Sequence, residues 1–304
     1  MRAVVAVRHG GPEVLEVHEV SDPETDGRRA TVRVVSAGVN FSDLLAISGR
    51  YPGPPPPFTP GIEVAGHEVA TGRPVLALVP SGGYSELALA DARLMLDAEG
   101  LDLEQAGGYA LVTLAAYFGL AHAARLQQGE TVLVLAAAGG LGSTAVQMAR
   151  ALGAGRVFAV ASTPEKRALA LAHGADEAFA YEDDLPAADV VVDGVGGDAF
   201  AAAYRATKPL GRVLLVGASS EVPPAFPAFQ ELRERSVALV PFSFKALRER
   251  NPDFVAATAP AAIELVRRGE VRPLIAGSHP LDAAGAALTQ LGSRATAGKL
   301  LLIP

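Results

Sequence analysis

The residues with the plainest chemical purpose in this chain are small ones, spaced Ala137-x-Gly139-x-x-Gly142. They lie between an apolar, β-branched run (Thr131 to Leu135) and a stretch in which Leu141, Ala145, Met148, Ala149 and Leu152 recur at helical spacing. Strand, tight glycine turn and helix in that order present unpaired backbone N–H groups at a helix N-terminus. A pyrophosphate can sit there, because glycine lets the backbone come close to it. The turn Ala138, Gly139, Gly140, Leu141 and Gly142 is therefore read as a dinucleotide-binding loop, with Ala137 where the usual motif has its first glycine. A plain structural turn is the alternative. The run RVFAVA (Arg156 to Ala161), placed where the next parallel strand belongs, favours the cofactor loop.

The end of that second strand selects between nucleotides. A carboxylate there would bond the adenosine ribose and repel a 2′-phosphate. This chain has Ala161, Ser162 and Thr163 instead, with Lys166 and Arg167 close behind. Small hydroxyl residues followed by cations suit a 2′-phosphate, which predicts NADPH over NADH. The alternative places Lys166 and Arg167 on a solvated helical face.

Other chemistries lack residues. A catalytic zinc takes about three ligands from His, Cys or carboxylate. The chain has no cysteine, and its six histidines show no H-x-x-x-H spacing, so no metal site is expected. No serine occupies a G-x-S-x-G elbow. A nicotinamide brings its own hydride. Without a Lewis acid to polarise an isolated ketone, the natural acceptors are quinones and α,β-unsaturated carbonyls.

The elements that position these residues follow from pattern and composition. At 304 residues the chain can hold two domains. A net charge of −7 argues against a nucleic-acid surface, and no cysteine means no disulfides. The absence of a signal-peptide layout or a long apolar run makes a cytoplasmic protein the expectation. Residues 1–110 carry short runs (Ala3 to Val7, Ala30 to Val35, Ser85 to Ala90) broken by Gly, Pro and Asp, as in a strand-rich domain. Tyr51 to Pro60, YPGPPPPFTP, predicts a stiff extended loop, either walling a cleft or merely connecting elements.

Residues 111–245 alternate strands and helices. Thr163 caps a helix reaching His173, with Pro164 in its first turn. Glu177 to Tyr181, Asp189 to Asp193 and Arg212 to Val216 read as strands, Asp198 to Thr207 as a helix, and Ser236 to Val240 as an edge strand. This predicts an α/β doubly wound parallel sheet of Rossmann type, with ligands at the carboxyl ends of its strands. The tail, 246–304, adds a helix from Pro252 to Gly269 and strands at Pro273 to Pro280 and Lys299 to Ile303, and is expected to rejoin the first domain. The cleft between the domains would then hold cofactor and substrate.

Several ordered blocks now carry a family resemblance. Val39-Asn40-Phe41-Ser42-Asp43 with Ser48-Gly49-Arg50-Tyr51-Pro52, Pro60-Gly61-x-Glu63-x-Ala65-Gly66, and Gly82-Gly83-Tyr84-Ser85-Glu86 are three of them. Thr113 to Tyr117, the glycine turn, Asp193-Gly194-Val195-Gly196-Gly197 and Thr296-Ala297-Gly298-Lys299 complete the series. Along nearly its whole length the chain resembles the zinc-free medium-chain dehydrogenases/reductases, and among them the zeta-crystallin-like quinone oxidoreductases. The resemblance implies a GroES-like, strand-rich catalytic domain beside the Rossmann domain. Asn40 stands where zinc-dependent relatives place a cysteine ligand and Ile62 where they place a histidine, which leaves His67 out of register.

The resemblance further implies Asn40 and Tyr51 as residues of the substrate cleft, unless Asn40 only fixes a turn and Tyr51 only packs the proline loop. It implies cofactor contacts from Thr113, Asp193, Val195, Gly217, Ala218, Ser219, Phe242 and Lys299. Leu45 replaces a tyrosine common in close relatives, which makes that part of the pocket more apolar. The expected function is zinc-independent NADPH:quinone reduction by hydride or single-electron transfer, with Asn40 hydrogen-bonding the acceptor. The alternatives are an enone or enoyl-thioester reductase and a non-catalytic NADPH-binding protein. A homodimer joined through the edge at Ser236 to Val240 is also implied.

Overall fold

The computed structural model describes all residues from Met1 to Pro304. Two compact units emerge: 1–111 with 251–267 and 275–304, and 112–250 with 268–274. The return to the first unit thus begins at Asn251 rather than at residue 246, and Arg268–Leu274 stays with the second.

The first unit opens with a β1 (Arg2–Ala6) and β2 (Leu15–Glu19) hairpin. There follow β3 (Arg29–Val39), α1 (Phe41–Ile47), β4 (Glu63–Glu68), β5 (Pro74–Leu78), β6 (Leu87–Asp91), β7 (Met95–Asp97) and α2 (Leu103–Ala106). The chain crosses into the second unit within α3 (Ala110–Tyr117), which runs on as a π-helical turn, Phe118–Ala123.

The second unit alternates as its sequence predicts. It contains β8 (Thr131–Val134), α4 (Gly140–Ala151), β9 (Arg156–Val160), α5 (Pro164–Ala172) and β10 (Glu177–Phe179). Next come β11 (Ala188–Asp193), α6 (Gly197–Ala206), β12 (Thr207–Leu215), α7 (Phe229–Arg235), β13 (Ala238–Pro241) and α8 (Phe244–Arg250). Its sheet runs β10-β9-β8-β11-β12-β13, and every pairing is parallel. The order reverses between β8 and β11, where such sheets open a crevice at their carboxyl ends. Thr163 caps α5, its Oγ1 accepting from Lys166 N at 3.3 Å, with Pro164 at the first helical position. Leu133, Phe158, Val191, Phe200 and Val213 build the core on one face of this sheet.

The tail supplies α9 (Pro252–Arg267), β14 (Ile275–Pro280), α10 (Ala284–Gly292) and β15 (Lys299–Ile303). In the first unit the strands run β14-β15-β3-β4-β5-β7, with β6 also on β3. β15 is therefore interior, parallel to β14 and antiparallel to β3. Leu300 and Leu302 from it join Val32, Val39, Val64 and Val75 in the first core. Phe58, at the end of the proline loop, is buried in that core, and its backbone exchanges hydrogen bonds with Ala6. That anchor keeps the proline segment against the sheet.

Candidate functional site

The residues singled out by sequence fall into two clusters, one in each unit. In the second unit the loop between β8 and α4 has the expected shape. Ala136 takes φ 51°, a left-handed conformation that costs a residue with a Cβ about 1 kcal/mol. Its N–H is received by the Tyr181 hydroxyl at 3.0 Å, and its carbonyl accepts from Gly139 N at 2.9 Å. Gly139 sits at the N-cap of α4 in extended conformation and has no side chain to cap with. The first-turn amides of Gly140, Leu141 and Gly142 thus gain nothing from a cap, which is the condition for anion binding. A Cβ on Gly142 would come within 2.2 Å of the Ala136 carbonyl oxygen, so only glycine lets helix and strand meet here.

The next strand ends supply more of the predicted set. Asp193, fully buried at the end of β11, accepts from Val195 N at 2.7 Å and Gly196 N at 3.0 Å through Oδ1. Burial pushes its carboxyl above the usual range, against the pull of those two amides. Its Oδ2 has no partner, and neither has the buried Thr113 Oγ1. The loops after β11 and β12 are knitted by Ser219 N to Gly194 O (3.0 Å) and Ser220 N to Val195 O (2.9 Å). Val195, Gly217, Ala218 and Ser219 therefore form one double loop. Phe242 follows β13, tied to Leu215 O at 2.9 Å, with its ring near Gly119 of the π-helical turn.

After β9, Ala161 is buried and Ser162 exposed, while Lys166 and Arg167 are half-buried on α5. Arg167 Nη1 donates to Ala161 O at 3.2 Å, so part of that guanidinium holds the strand end. The Thr163 hydroxyl is engaged in capping, and a hydrogen bond from it holds the Glu165 carboxyl below its usual range, behind the larger backbone contribution at Glu165 itself. Sequence reasoning missed Tyr181. Its signal was a lone tyrosine just beyond β10, a strand that ends on the turn's side of the sheet.

The first unit holds the other cluster, and here two expectations change. Strand register brings the ends of β15, β3 and β4 together: Leu300 pairs with Val39, and Val64 with Ala37. Lys299, Asn40 and Glu63 consequently converge. The Lys299 ammonium has three donors. They go to Val39 O (3.0 Å), Asn40 Oδ1 (2.5 Å) and Glu63 Oε1 (2.7 Å). Lys299 is 4% exposed and Glu63 0%. Lys299, expected among the cofactor contacts, is corrected to a member of this buried network, because no donor is left for a phosphate or a carboxamide.

The Asn40 side-chain amide donates to Gly38 O and to Glu63 Oε1, both at 3.1 Å. Both protons point into the network, so the expected hydrogen bond from Asn40 to an acceptor is not what this geometry provides. Glu63 Oε2 accepts from Leu111 N at 2.8 Å. A Cβ on Gly38 would stand 2.3 Å from Glu63 Oε1, which explains the glycine. Asp43 Oδ2 accepts from Asn40 N (2.9 Å) and from the buried Tyr84 hydroxyl (2.8 Å). Burial raises Asp43 to about 6, above the pull of those donors and of Lys299. Burial, then the Asp43 charge, push Tyr84 well up. Tyr51 is half-buried at the start of the proline loop, and Leu45 is half-buried on α1. No three His, Cys, Asp or Glu side chains group as a metal site would require.

A parallel sheet of this strand order with an uncapped glycine turn, joined to a strand-rich unit, defines a dinucleotide-dependent dehydrogenase or reductase architecture. The alcohol dehydrogenase GroES-like domain model matches residues 26–98, and the zinc-binding dehydrogenase model matches 140–259. A quinone oxidoreductase of Pseudomonas aeruginosa is 33% identical over 318 residues, covering 97% of each chain. The solved quinone oxidoreductase of Thermus thermophilus, described also in complex with NADPH, is 36% identical with a TM-score of 0.89, each chain fully covered. That of Escherichia coli, solved with NADPH, is 28% identical with a TM-score of 0.91, again over both whole chains. The chain belongs to the medium-chain dehydrogenase/reductase superfamily, in its quinone oxidoreductase family.

Proposed function

We propose that this chain is a zinc-independent, NADPH-dependent reductase of quinones. The observation that carries the cofactor assignment is the pair of orphaned polar atoms, Thr113 Oγ1 and Asp193 Oδ2, in the same unit as the uncapped turn before α4. A bound ligand that hydrogen-bonds them would remove the cost of leaving them buried and unpaired. The relatives solved with NADPH support the same reading.

In this reading Gly140, Leu141 and Gly142 hold the pyrophosphate through backbone N–H groups. Ser162 and Lys166 take the 2′-phosphate, with Arg167 at its side. The double loop of Val195, Gly217, Ala218 and Ser219, with Phe242, encloses the nicotinamide end. When bound, the reduced nicotinamide supplies the reducing equivalent. Asn40 lines the acceptor site with an amide fixed by Lys299, Glu63 and the Gly38 carbonyl, and Tyr51 stacks against or donates to the acceptor. No protein acid is required, since a reduced quinone oxygen can take its proton from water. The residues that occupy the metal-ligand positions of zinc-dependent relatives, Asn40 and Ile62, offer no thiolate or imidazole, and Asn40 already receives an ammonium. We place the protein in the cytoplasm as a homodimer paired through the free edge of β13. Light scattering at the monomer mass would overturn that assembly.

NADPH oxidation followed optically with a 1,4-quinone, an enone and a saturated ketone in turn, then with NADH, tests the activity. Rapid quinone-dependent oxidation of NADPH, slow with NADH, is the expected result. Enone turnover without quinone turnover would move the chain to the rival reductase. Cofactor binding with no turnover would make it a binding protein.

A further inference from the structure

We infer that Lys299 and Glu63 are a positioning pair that holds the Asn40 amide in one orientation. The inference rests on the proposed site role of Asn40 and assigns that role's geometry to two residues that touch neither acceptor nor cofactor.

The contacts form a closed ring. Lys299 Nζ binds Asn40 Oδ1 (2.5 Å) and Glu63 Oε1 (2.7 Å), and Asn40 Nδ2 returns to the same Glu63 oxygen (3.1 Å). An asparagine amide can otherwise flip, exchanging donor and acceptor faces. Here a cation on its oxygen and a carboxylate on its nitrogen make the flipped state doubly unfavourable. The ring is anchored on two elements, on β3 through Val39 O and Gly38 O and on α3 through Leu111 N. All of its side-chain members lie in the first unit and are nearly or wholly buried.

Stability alone does not account for such a pair. Replacing a buried ion pair by apolar groups of similar volume is often neutral or stabilising, whereas removing one partner leaves an uncompensated charge. A purely structural lysine and glutamate would therefore be replaceable together. A positioning pair would not be.

The test uses the full-length protein in two arms. In the first, ¹⁵N spectra of the cofactor-free protein follow the Asn40 side-chain NH₂. Slow exchange and a single environment are expected in the wild type. Averaged or fast-exchanging protons are expected in the double variant Glu63→Gln/Lys299→Met. In the second arm, kinetics compare the wild type, the double variant, Asn40→Ala, and all three changes together.

Turnover should fall by about 10-fold or more in the double variant, as a small misplacement of a site group can cost on the order of 10²-fold. The NADPH Kd should stay within about 2-fold, and the added Asn40→Ala change should cost nothing further, because both act through one group. Unchanged Asn40 resonances, additive losses, or a weakened NADPH Kd would each overturn the inference, the last by making Lys299 a cofactor ligand. Should the double variant fail to fold, Glu63→Gln alone keeps the shape and leaves the Lys299 contact to the Asn40 oxygen in place. It must then shift the Asn40 resonances and lower turnover several-fold. Absence of quinone turnover in the wild type would sink the proposed reaction and leave the spectral arm intact.

Discussion

The ends of the two sheets treat polar groups in opposite ways. Where β15, β3 and β4 finish, the Lys299 donors, the Asn40 amide protons and both Glu63 oxygens are used inside the protein. Where β8 and β11 finish, a helix starts uncapped and Asp193 keeps a buried oxygen without a partner, as Thr113 does on α3 of the same unit. The first arrangement holds its own shape. The second leaves polar groups open to a ligand. A saturated network resists change through stability, while an unsaturated one registers change through ligand affinity.

That contrast can be broken at single residues. The largest effect belongs to Gly142→Ala, whose new methyl would meet the Ala136 carbonyl at 2.2 Å. NADPH affinity by fluorescence titration should fall by about 10²-fold or more, since the turn must open to relieve the clash. Retained affinity would mean the turn is not where the pyrophosphate rests.

Asp43→Asn comes next and concerns pH. Asp43 has its folded pKa raised to about 6 from the usual 3.8. The folded state therefore binds the extra proton between about pH 4 and 6, and wild-type stability falls as pH rises through that window. A rise of that size corresponds to about 3 kcal/mol. Denaturant melts should show the wild type losing an amount of that order between pH 4 and pH 7, and Asp43→Asn losing much less. Equal slopes would show that Asp43 does not titrate in this way.

Gly38→Ala should cost about 1–3 kcal/mol of stability by pushing on Glu63 and on the Gly107 carbonyl, 2.7 Å from the added Cβ. NADPH affinity should be untouched. Thr113→Val is the smallest and the most diagnostic. Removing an orphaned hydroxyl should leave the cofactor-free protein as stable or up to about 1 kcal/mol more so, while NADPH binds several-fold more weakly. A loss of stability in the cofactor-free protein would show that the hydroxyl was already satisfied.

Much of the second unit was legible because its rules are local. Thr163 and Pro164 announce the start of α5 within two residues, and the strand runs from Thr131 and Asp189 are buried on both faces, so they read as unbroken apolar stretches. The network of the first unit was not, although every member lay in a recognised block. Lys299 and Glu63 are 236 positions apart, and their meeting depends on the register of three strands. Spacing along a chain carries no such register. The sequence accordingly suggested Lys299 as a cofactor contact and Asn40 as a hydrogen-bonding residue of the substrate cleft, and nothing in it pointed to their meeting with Glu63. The hint available was Gly38, a glycine inside a strand, which marks a close approach by something else.

The interior place of β15 bears on how the protein is made. Residues 1–111 leave the ribosome long before Lys299–Ile303 exist, yet β15 separates β14 from β3 and completes their shared core. At roughly 5–20 residues per second, the wait is on the order of 10 to 40 seconds. Throughout it, β6 covers only the Arg29–Arg33 part of that β3 edge, Ala37 to Val39 stand unpaired beyond it, and Glu63 lacks its cation. All six strands of the second sheet lie between Thr131 and Pro241 and need nothing from the tail to pair. The nucleotide-binding sheet can therefore form first, and the half of the other sheet that is synthesised earliest is the last to close.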